Sequence, residues 1–171
     1  FYTGVIDFLT DSRLNTVLVR HNVSINLYLH INMRQYLNAF STGLAGLQQL
    51  RVLPAGTDLQ AELAGCRLLI TDYSSVAWDC LYLDRPVLFY QFDLEKFNRH
   101  RGACIDLQDL FGPVATTARA AVELTTSLIN AGFDCAPHRG EMDRWQRKAF
   151  QYRDANNCRR TVAAILRALN Q

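Results

Sequence analysis

RLLITDYSSVAWDCLYLDRPVLFY, residues 67–90, is the stretch whose reading decides the fold. Leu68, Leu69 and Ile70 form a short apolar run that ends in the polar knot Thr71-Asp72-Tyr73-Ser74-Ser75. Val76, Cys80, Leu81 and Leu83 then recur at the spacing of one helical face. Arg85-Pro86 ends that helix, since proline brings no amide and its ring clashes with the preceding turn. Val87-Leu88-Phe89-Tyr90 is a second apolar run. Strand, turn, helix and strand in so short a space is the pattern of a βαβ crossover, whose two strands lie parallel. The knot falls where strand gives way to helix. Amides at that point have no helical carbonyl to bond, so they and the adjacent short hydroxyls suit an anionic ligand such as phosphate.

Upstream, Val5, Phe8, Leu9, Leu14, Val17 and Leu18 predict one helix over Gly4 to Arg20. Ile25 to His30 reads as a strand, followed by the polar pair His30 and Asn32 and a short helix near Arg34 to Phe40. Gln49 to Leu53 is a second short strand, closed by Pro54-Ala55-Gly56, and Thr57 or Asp58 can cap a helix over Leu59 to Ala64. Downstream of Tyr90, Gln91 to Gly102 is too polar for a strand and mixes loop with a helical turn. Ala103 to Leu107 is expected as a small edge strand and Phe111 to Val114 as a turn. Thr116 or Thr117 caps a helix to about Asn130, and two helices, about Glu141 to Tyr152 and Asn157 to Leu169, finish the chain. The expected fold is α/β: a Rossmann-like parallel sheet of about four strands flanked by helices. Polar residues recur at the carboxyl ends of these strands, where such sheets bind ligands.

The 171 residues, 49% hydrophobic, suffice for one domain with its own core. A net charge of +2 is too mild to argue for nucleic acid, and none is expected as a partner. No apolar run reaches the ~20 residues of a membrane span. Cys66, Cys80, Cys104, Cys135 and Cys158 are scattered and odd in number, which suits inert thiols in a reducing compartment better than a disulfide framework or a metal site. No GxGxxG or Walker loop occurs, so NAD, FAD and ATP are not indicated. The first residue is not Met, and the chain reads as a piece of a longer protein whose N-terminal domain lies elsewhere.

ITDYSSVAWD, then LDRPVLFYQFDLEKF, then Arg101-Gly102, then GPVATT, and finally YRDANNCRRTVAAIL together resemble the CDP-glycerol glycerophosphotransferase family, the teichoic acid and capsule polymerases. His30 falls where that family has His-Pro after a strand, although Ile31 stands here in place of the proline. The resemblance implies the C-terminal, donor-binding half of a GT-B enzyme, a single Rossmann-like domain over residues 1–171 ending in helices within 141–169. It further implies transfer of a polyol phosphate from CDP-glycerol or CDP-ribitol to a growing polymer, with release of CMP. The missing N-terminal half would then supply the acceptor side, and the piece alone would be inactive. Cytidine preference rests wholly on the resemblance.

On that reading His30 is the candidate catalytic residue, an imidazole able to share a proton or neutralise phosphate near working pH. Ser74 and Ser75 would hold the donor's phosphates, with Arg101 adding a guanidinium and Gly102 close backbone approach. Asp72 would orient the loop or meet ribose or polyol hydroxyls, and a purely local turn role is equally open to it. Asp93 and Asp79 are candidates for polyol or ribose hydroxyls. Tyr73 reads as packing. No cofactor or metal site is expected, and a divalent ion would enter only through the donor's phosphates. The arginine-rich ending (Arg144, Arg147, Arg153, Arg159, Arg160 and Arg167, with Lys148) is by default a solvated face. Its sharper reading is contact with an anionic polymer acceptor or with lipid head groups, which would make the full protein cytoplasmic and peripheral on the inner face of the membrane. A nucleotide-sugar glycosyltransferase or epimerase domain, and a non-catalytic nucleotide-binding module, are the alternatives.

Overall fold

The computed structural model describes residues 1–100 and 109–170. The 67–90 unit folds as its sequence predicts: strand β3 (Leu69–Thr71), helix α5 (Val76–Tyr82) and strand β4 (Val87–Tyr90), with Leu69 paired to Val87 and Thr71 to Phe89 in parallel register. All four residues of β4 are buried. A strand apolar on every residue needs cover on both faces, and β4 has it. Leu88 and Tyr90 pack into a cluster with Phe8, Leu14, Leu18, Val122 and Ile129, whereas Val87 and Phe89 face Leu81, Phe111, Met142 and Trp145.

Before this unit the chain forms α1 (Tyr2–Leu9), α2 (Ser12–His21), β1 (Ile25–Leu27), a 3₁₀ turn (Ile31–Tyr36), α3 (Leu37–Gly43), β2 (Leu50–Val52) and α4 (Leu59–Gly65). β1 and β2 pair parallel to each other. The single helix expected over Gly4 to Arg20 is in fact two. Asp11 accepts a hydrogen bond from the amide of Arg13 at 2.8 Å and so opens α2 afresh, as a short carboxylate competing for backbone amides does. Asp58 caps α4 through the amides of Gln60 and Ala61.

After β4 come α6 (Leu94–His100), β5 (Val114–Ala115), α7 (Ala118–Asn130), a 3₁₀ turn (Ala136–His138), α8 (Arg139–Ala149) and α9 (Asn157–Leu169). Thr117 caps α7 through the amide of Ala120. The edge strand expected at Ala103 to Leu107 lies outside the described residues. Instead β5 pairs with β4, on a segment whose start was read as a turn. The reason is Gly112: a Cβ there would meet the carbonyl oxygen of Val87 at 2.0 Å, so only glycine lets this backbone run against the sheet. The amide of Phe89 then reaches the carbonyl of Pro113 at 2.9 Å. The described strands are thus five, all parallel, in a two-stranded sheet and a three-stranded sheet ordered β3-β4-β5. The α/β class with parallel strands flanked by helices is as expected; the continuous four-stranded sheet is not.

α8 begins and ends earlier than its sequence suggests. It is fastened to the turn between α5 and β4, where Asp84 adopts a left-handed conformation (φ 57°). Gln146 donates to Asp84 at 2.7 Å and to the carbonyl of Leu81 at 2.8 Å, and Arg139 and Arg153 also reach the Asp84 carboxylate. α9 buries none of its residues, and Val162, Ile165, Leu166 and Leu169 stay more than half exposed along one side. Among the described residues no helix is long and apolar enough to cross a membrane.

Candidate functional site

The parallel pairing of β3 with β4 brings two loops side by side. Thr71 sits opposite Phe89, and the same register carried two residues further sets Tyr73 level with Gln91. The Asp72–Ser75 loop and the Gln91–Asp93 loop therefore emerge together at the carboxyl edge of the three-stranded sheet. A direct contact joins them: the Tyr73 hydroxyl donates to Oδ1 of Asp93 at 3.2 Å. The Tyr73 ring also stacks on Phe97 of α6, with centroids 3.8 Å apart and planes 14° from parallel. Burial, followed by the negative charge of Asp93 and its hydrogen bond, holds the Tyr73 phenol above its ordinary range, so it stays a proton donor. Tyr73 does pack, as the sequence suggests, but it also fixes the direction of a candidate site carboxylate. No local sequence signal announces a bond between residues 73 and 93. It arises only once the strands are in register.

Ser75 occupies the N-cap position of α5 and its hydroxyl makes no capping bond. The carbonyls of Ser74 and Ser75 accept the amides of Ala77 and Trp78, at 3.3 Å and 3.0 Å, and so begin the helix. Neither serine hydroxyl bonds another described residue. Asp72 is half-buried and Asp79 exposed, and no hydrogen bond is formed by either side chain to a described residue, including the turn amides Asp72 was in part expected to bind. Gln91 is 2% exposed, and its Nε2 has no hydrogen-bond partner. Alternation along β4 puts Gln91 on the face of Val87 and Phe89, the side that α5 covers. A buried amide nitrogen with nothing to bond costs about 1–3 kcal/mol, which a ligand oxygen would relieve. The sequence places Gln91 in the polar cluster that follows β4 and gives it no role of its own.

The structure does not bring every candidate together. His30 is exposed at the end of β1, in the other sheet, where its Nδ1 accepts the amide of Asn32 at 3.2 Å and caps the 3₁₀ turn. No hydrogen bond, ion pair or ring contact among the described residues links it to the Tyr73 cluster. Arg101 and Gly102 lie outside the described residues. Several terminal basic residues are engaged: Arg144 pairs with Asp109, Arg160 with Asp154 at 2.7 Å, Arg153 with Asp84 at 3.3 Å, and Lys148 lies over the Trp145 ring. One surface hollow of about 430 Å³ opens near Ser41, Leu44, Gln48 and Val52. It lies where the chain enters β2 and is lined by no titratable side chain. Among the described residues no cluster of His, Cys, Asp and Glu is arranged to hold a metal.

This arrangement, parallel strands with polar loops at their carboxyl edge, has counterparts. The family model described as CDP-Glycerol:Poly(glycerophosphate) glycerophosphotransferase matches residues 18–167. The chain belongs to that family. Within it, the chain is 26% identical over 163 residues to the minor teichoic acid biosynthesis protein GgaB of Bacillus subtilis, covering 92% of this chain and 17% of GgaB. A shorter segment of 35 residues is 57% identical to the teichoic acid glycerol-phosphate primase of Bacillus spizizenii, covering 20% of this chain and 9% of the primase. Among solved structures, the wall teichoic acid polymerase TagF superposes with a TM-score of 0.60 at 18% identity, over 95% of this chain and 49% of TagF. A TagF variant soaked with CDPG superposes with a TM-score of 0.61. The likeness to TagF bears out the GT-B expectation at the level of fold. The chain spans about half the length of the TagF chain and under a fifth of these curated relatives.

Proposed function

We propose that this chain is the donor-binding half of a polyol-phosphate transferase, and that a CDP-activated polyol, CDP-glycerol or CDP-ribitol, lodges against the Asp72–Ser75 and Gln91–Asp93 loops. The observation that carries the reading is the pair of loops itself: the family's strand-end segments stand edge to edge, tied by Tyr73 and Asp93, with two serine hydroxyls and the Gln91 amide uncommitted. Ser74, Ser75 and the amides at the head of α5 would donate to the oxygens of the donor's diphosphate. α5 has only seven residues, so these local donors matter more than its dipole. Gln91 would donate to a phosphate or ribose oxygen. Asp93, already aimed by Tyr73, would take a hydroxyl of the ribose or polyol, and the solvent-facing Asp79 a second one. Asp72 would hold the loop or share in hydroxyl binding.

In the reaction so assigned, an acceptor hydroxyl oxygen bonds the polyol-bearing phosphorus while the anhydride P–O bond to CMP breaks. The acceptor proton departs to a base, and negative charge gathers on the phosphate oxygens and the leaving CMP. Positioned donors lower that barrier chiefly through electrostatics. His30, with Nε2 turned away from its capping bond, would share a proton or meet that charge, and Arg101 and Gly102 would add to phosphate binding. A divalent ion, if used, would come with the donor's phosphates. The acceptor, an anionic polymer, would be presented by the remainder of a longer chain. The uncovered apolar side of α9 supports the presence of such a neighbour, and peripheral association with the inner membrane face fits the same basic ending.

The test is calorimetric titration of this chain with CDP-glycerol, CMP and UDP. The reading expects the cytidine compounds to bind more tightly than UDP, and expects Ser74→Ala with Ser75→Ala to weaken CDP-glycerol by about tenfold or more, in line with lost hydrogen bonds to a charged group. Equal affinity for UDP would remove the cytidine donor. Binding unaffected by both serine changes would remove the site.

A further inference from the structure

Glycine in a helix loses backbone freedom that alanine does not, so a helical glycine calls for a contact that explains it. Gly4 stands in the first turn of α1, where a Cβ would lie 2.8 Å from Cδ2 of Phe92 and 3.1 Å from its Cγ. The Phe92 ring therefore rests directly on the α1 backbone. Phe1 packs on the same ring at a centroid distance of 6.0 Å, and Tyr90 on it at 4.8 Å. The Tyr90 hydroxyl donates to the Gly4 carbonyl at 2.8 Å. The end of β4 and the loop that follows are thus fastened to a single turn of helix.

That turn also grips the segment after β1. Tyr2 donates its hydroxyl to the Ala39 carbonyl at 3.2 Å, and its ring lies 4.8 Å from that of the fully buried Phe40. Phe1 meets Phe40 edge-on at 6.4 Å, so one ring contacts both Phe40 and Phe92. A Cβ on Gly43, the last residue of α3, would come within 2.7 Å of the Tyr2 hydroxyl oxygen. α3 continues directly from the 3₁₀ turn that His30 caps. The head of α1 therefore ties the segment after β1, in one sheet, to the loop after β4, in the other.

We propose that Phe1, Tyr2 and Gly4 are positioning residues for the donor site: they hold Phe92 against α3, and through it aim Gln91 and Asp93. Phe92 packs with the cluster of Leu88 and Tyr90, whereas Gln91 turns to the opposite face. Each residue of the loop is held by a different element. The Gln91 amide donates to the Ala115 carbonyl of β5 at 2.7 Å, Phe92 sits against α1, and Asp93 accepts from Tyr73. A loop already pinned on both flanks of Gln91 presents the unpaired Nε2 in place, so less ordering is left for a ligand to impose. This role rests on the donor reading of the loop, and α1 acts only through Phe92.

The experiment follows CDP-glycerol affinity by calorimetry and the Gln91 side-chain amide by nitrogen–proton NMR, on the whole 171-residue chain. Gly4→Ala pushes the Phe92 ring off α1 but favours the helix, so the melting temperature should stay within about 2 °C of the parent. CDP-glycerol should nevertheless bind roughly fivefold or more weakly, as for one misplaced hydrogen bond, and the Gln91 amide signals should move. Adding Phe92→Leu, whose slimmer side chain leaves room for the new Cβ, should restore binding. Phe1→Ala changes a residue 43% exposed, which the fold tolerates, and should act in the same direction as Gly4→Ala even if that variant does not fold. Gly140→Ala is the control: it also favours a helix, its Cβ would meet nothing, and it should change neither reading. A parent that does not bind CDP-glycerol would remove the donor reading, and the Gln91 signals of Gly4→Ala and Phe1→Ala would then decide by themselves whether α1 aims the loop. Gln91 signals and affinity unchanged in both variants would overturn the proposal. So would a loss of affinity that merely tracks a lowered melting temperature and is not restored by Phe92→Leu.

Discussion

Tyr73→Phe deletes one oxygen and keeps the ring, so it isolates the bond that joins the two strand-end loops. The hydroxyl donates to Oδ1 of Asp93 at 3.2 Å, and the ring remains free to stack on Phe97. A hydrogen bond to a charged acceptor contributes about 1.5–3 kcal/mol in mutational series, and water recovers part of this at a half-exposed site, so a loss of about 1 kcal/mol is expected. For a chain of this size that lowers the melting temperature by about 2–4 °C. The assay is urea unfolding of the parent, Tyr73→Phe, Asp93→Ala and the double variant. If the contact exists, the two changes are non-additive, with a coupling of about 0.5–1 kcal/mol, because each removes the same bond. Phe97→Ala should cost more than Tyr73→Phe, since it loses both the stack and its buried area. A Tyr73→Phe protein as stable as the parent, with no coupling to Asp93→Ala, would refute the claim that this bond positions the loops.

Other consequences follow from contacts elsewhere in the fold. Gly112→Ala sets a Cβ 2.0 Å from the Val87 carbonyl oxygen, so β5 must pull away from β4; a loss of about 3 kcal/mol or more, seen in denaturant unfolding or as insoluble expression, is expected. Asp84→Ala removes the acceptor that gathers Gln146, Arg139 and Arg153 and puts alanine at φ 57°, whereas Asp84→Gly relieves the backbone; alanine should therefore be less stable than glycine by about 1 kcal/mol in the same assay. In an absorbance titration of the folded chain, Tyr73 and Tyr90 should ionise last among the tyrosines, with Tyr90 pushed by burial, and then by the charge of Asp7, to about 12. A raised folded value means the stability that these phenols contribute is complete below the unfolded value of about 10 and falls as pH rises through the folded one. Tyr73→Phe should thus flatten the decline in unfolding free energy above pH ~10, and a decline of unchanged slope would speak against it.

The sequence shows most where local chemistry decides. The 67–90 unit is legible because a run of apolar residues, a proline and helical spacing agree on one answer, and Asp58 and Thr117 cap helices as short polar side chains should. Where two local tendencies compete, the reading fails: the apolar spacing from Val5 to Leu18 outweighed Asp11, whose side chain in fact restarts the helix. β5 was hidden for a different reason. Its two residues follow Gly-Pro, a turn signal, and only the close approach of Gly112 to Val87 makes them a strand. The candidate site divides in the same way. Ser74, Ser75 and Asp93 could be placed at strand ends from pattern alone, whereas the Tyr73–Asp93 bond and the orphaned Gln91 amide depend on parallel register between segments far apart in the chain. His30 shows the converse, a residue chosen by its place after a strand and by resemblance, whose visible bond is a cap on its own turn.

The most direct measurement is a crystal structure of this chain soaked with CDP-glycerol. The account predicts diphosphate density against Ser74, Ser75 and the amides opening α5, with a ligand oxygen within hydrogen-bond reach of Gln91 Nε2. Well-ordered donor bound at the hollow near Ser41 and Gln48, with the loops after β3 and β4 empty, would contradict it.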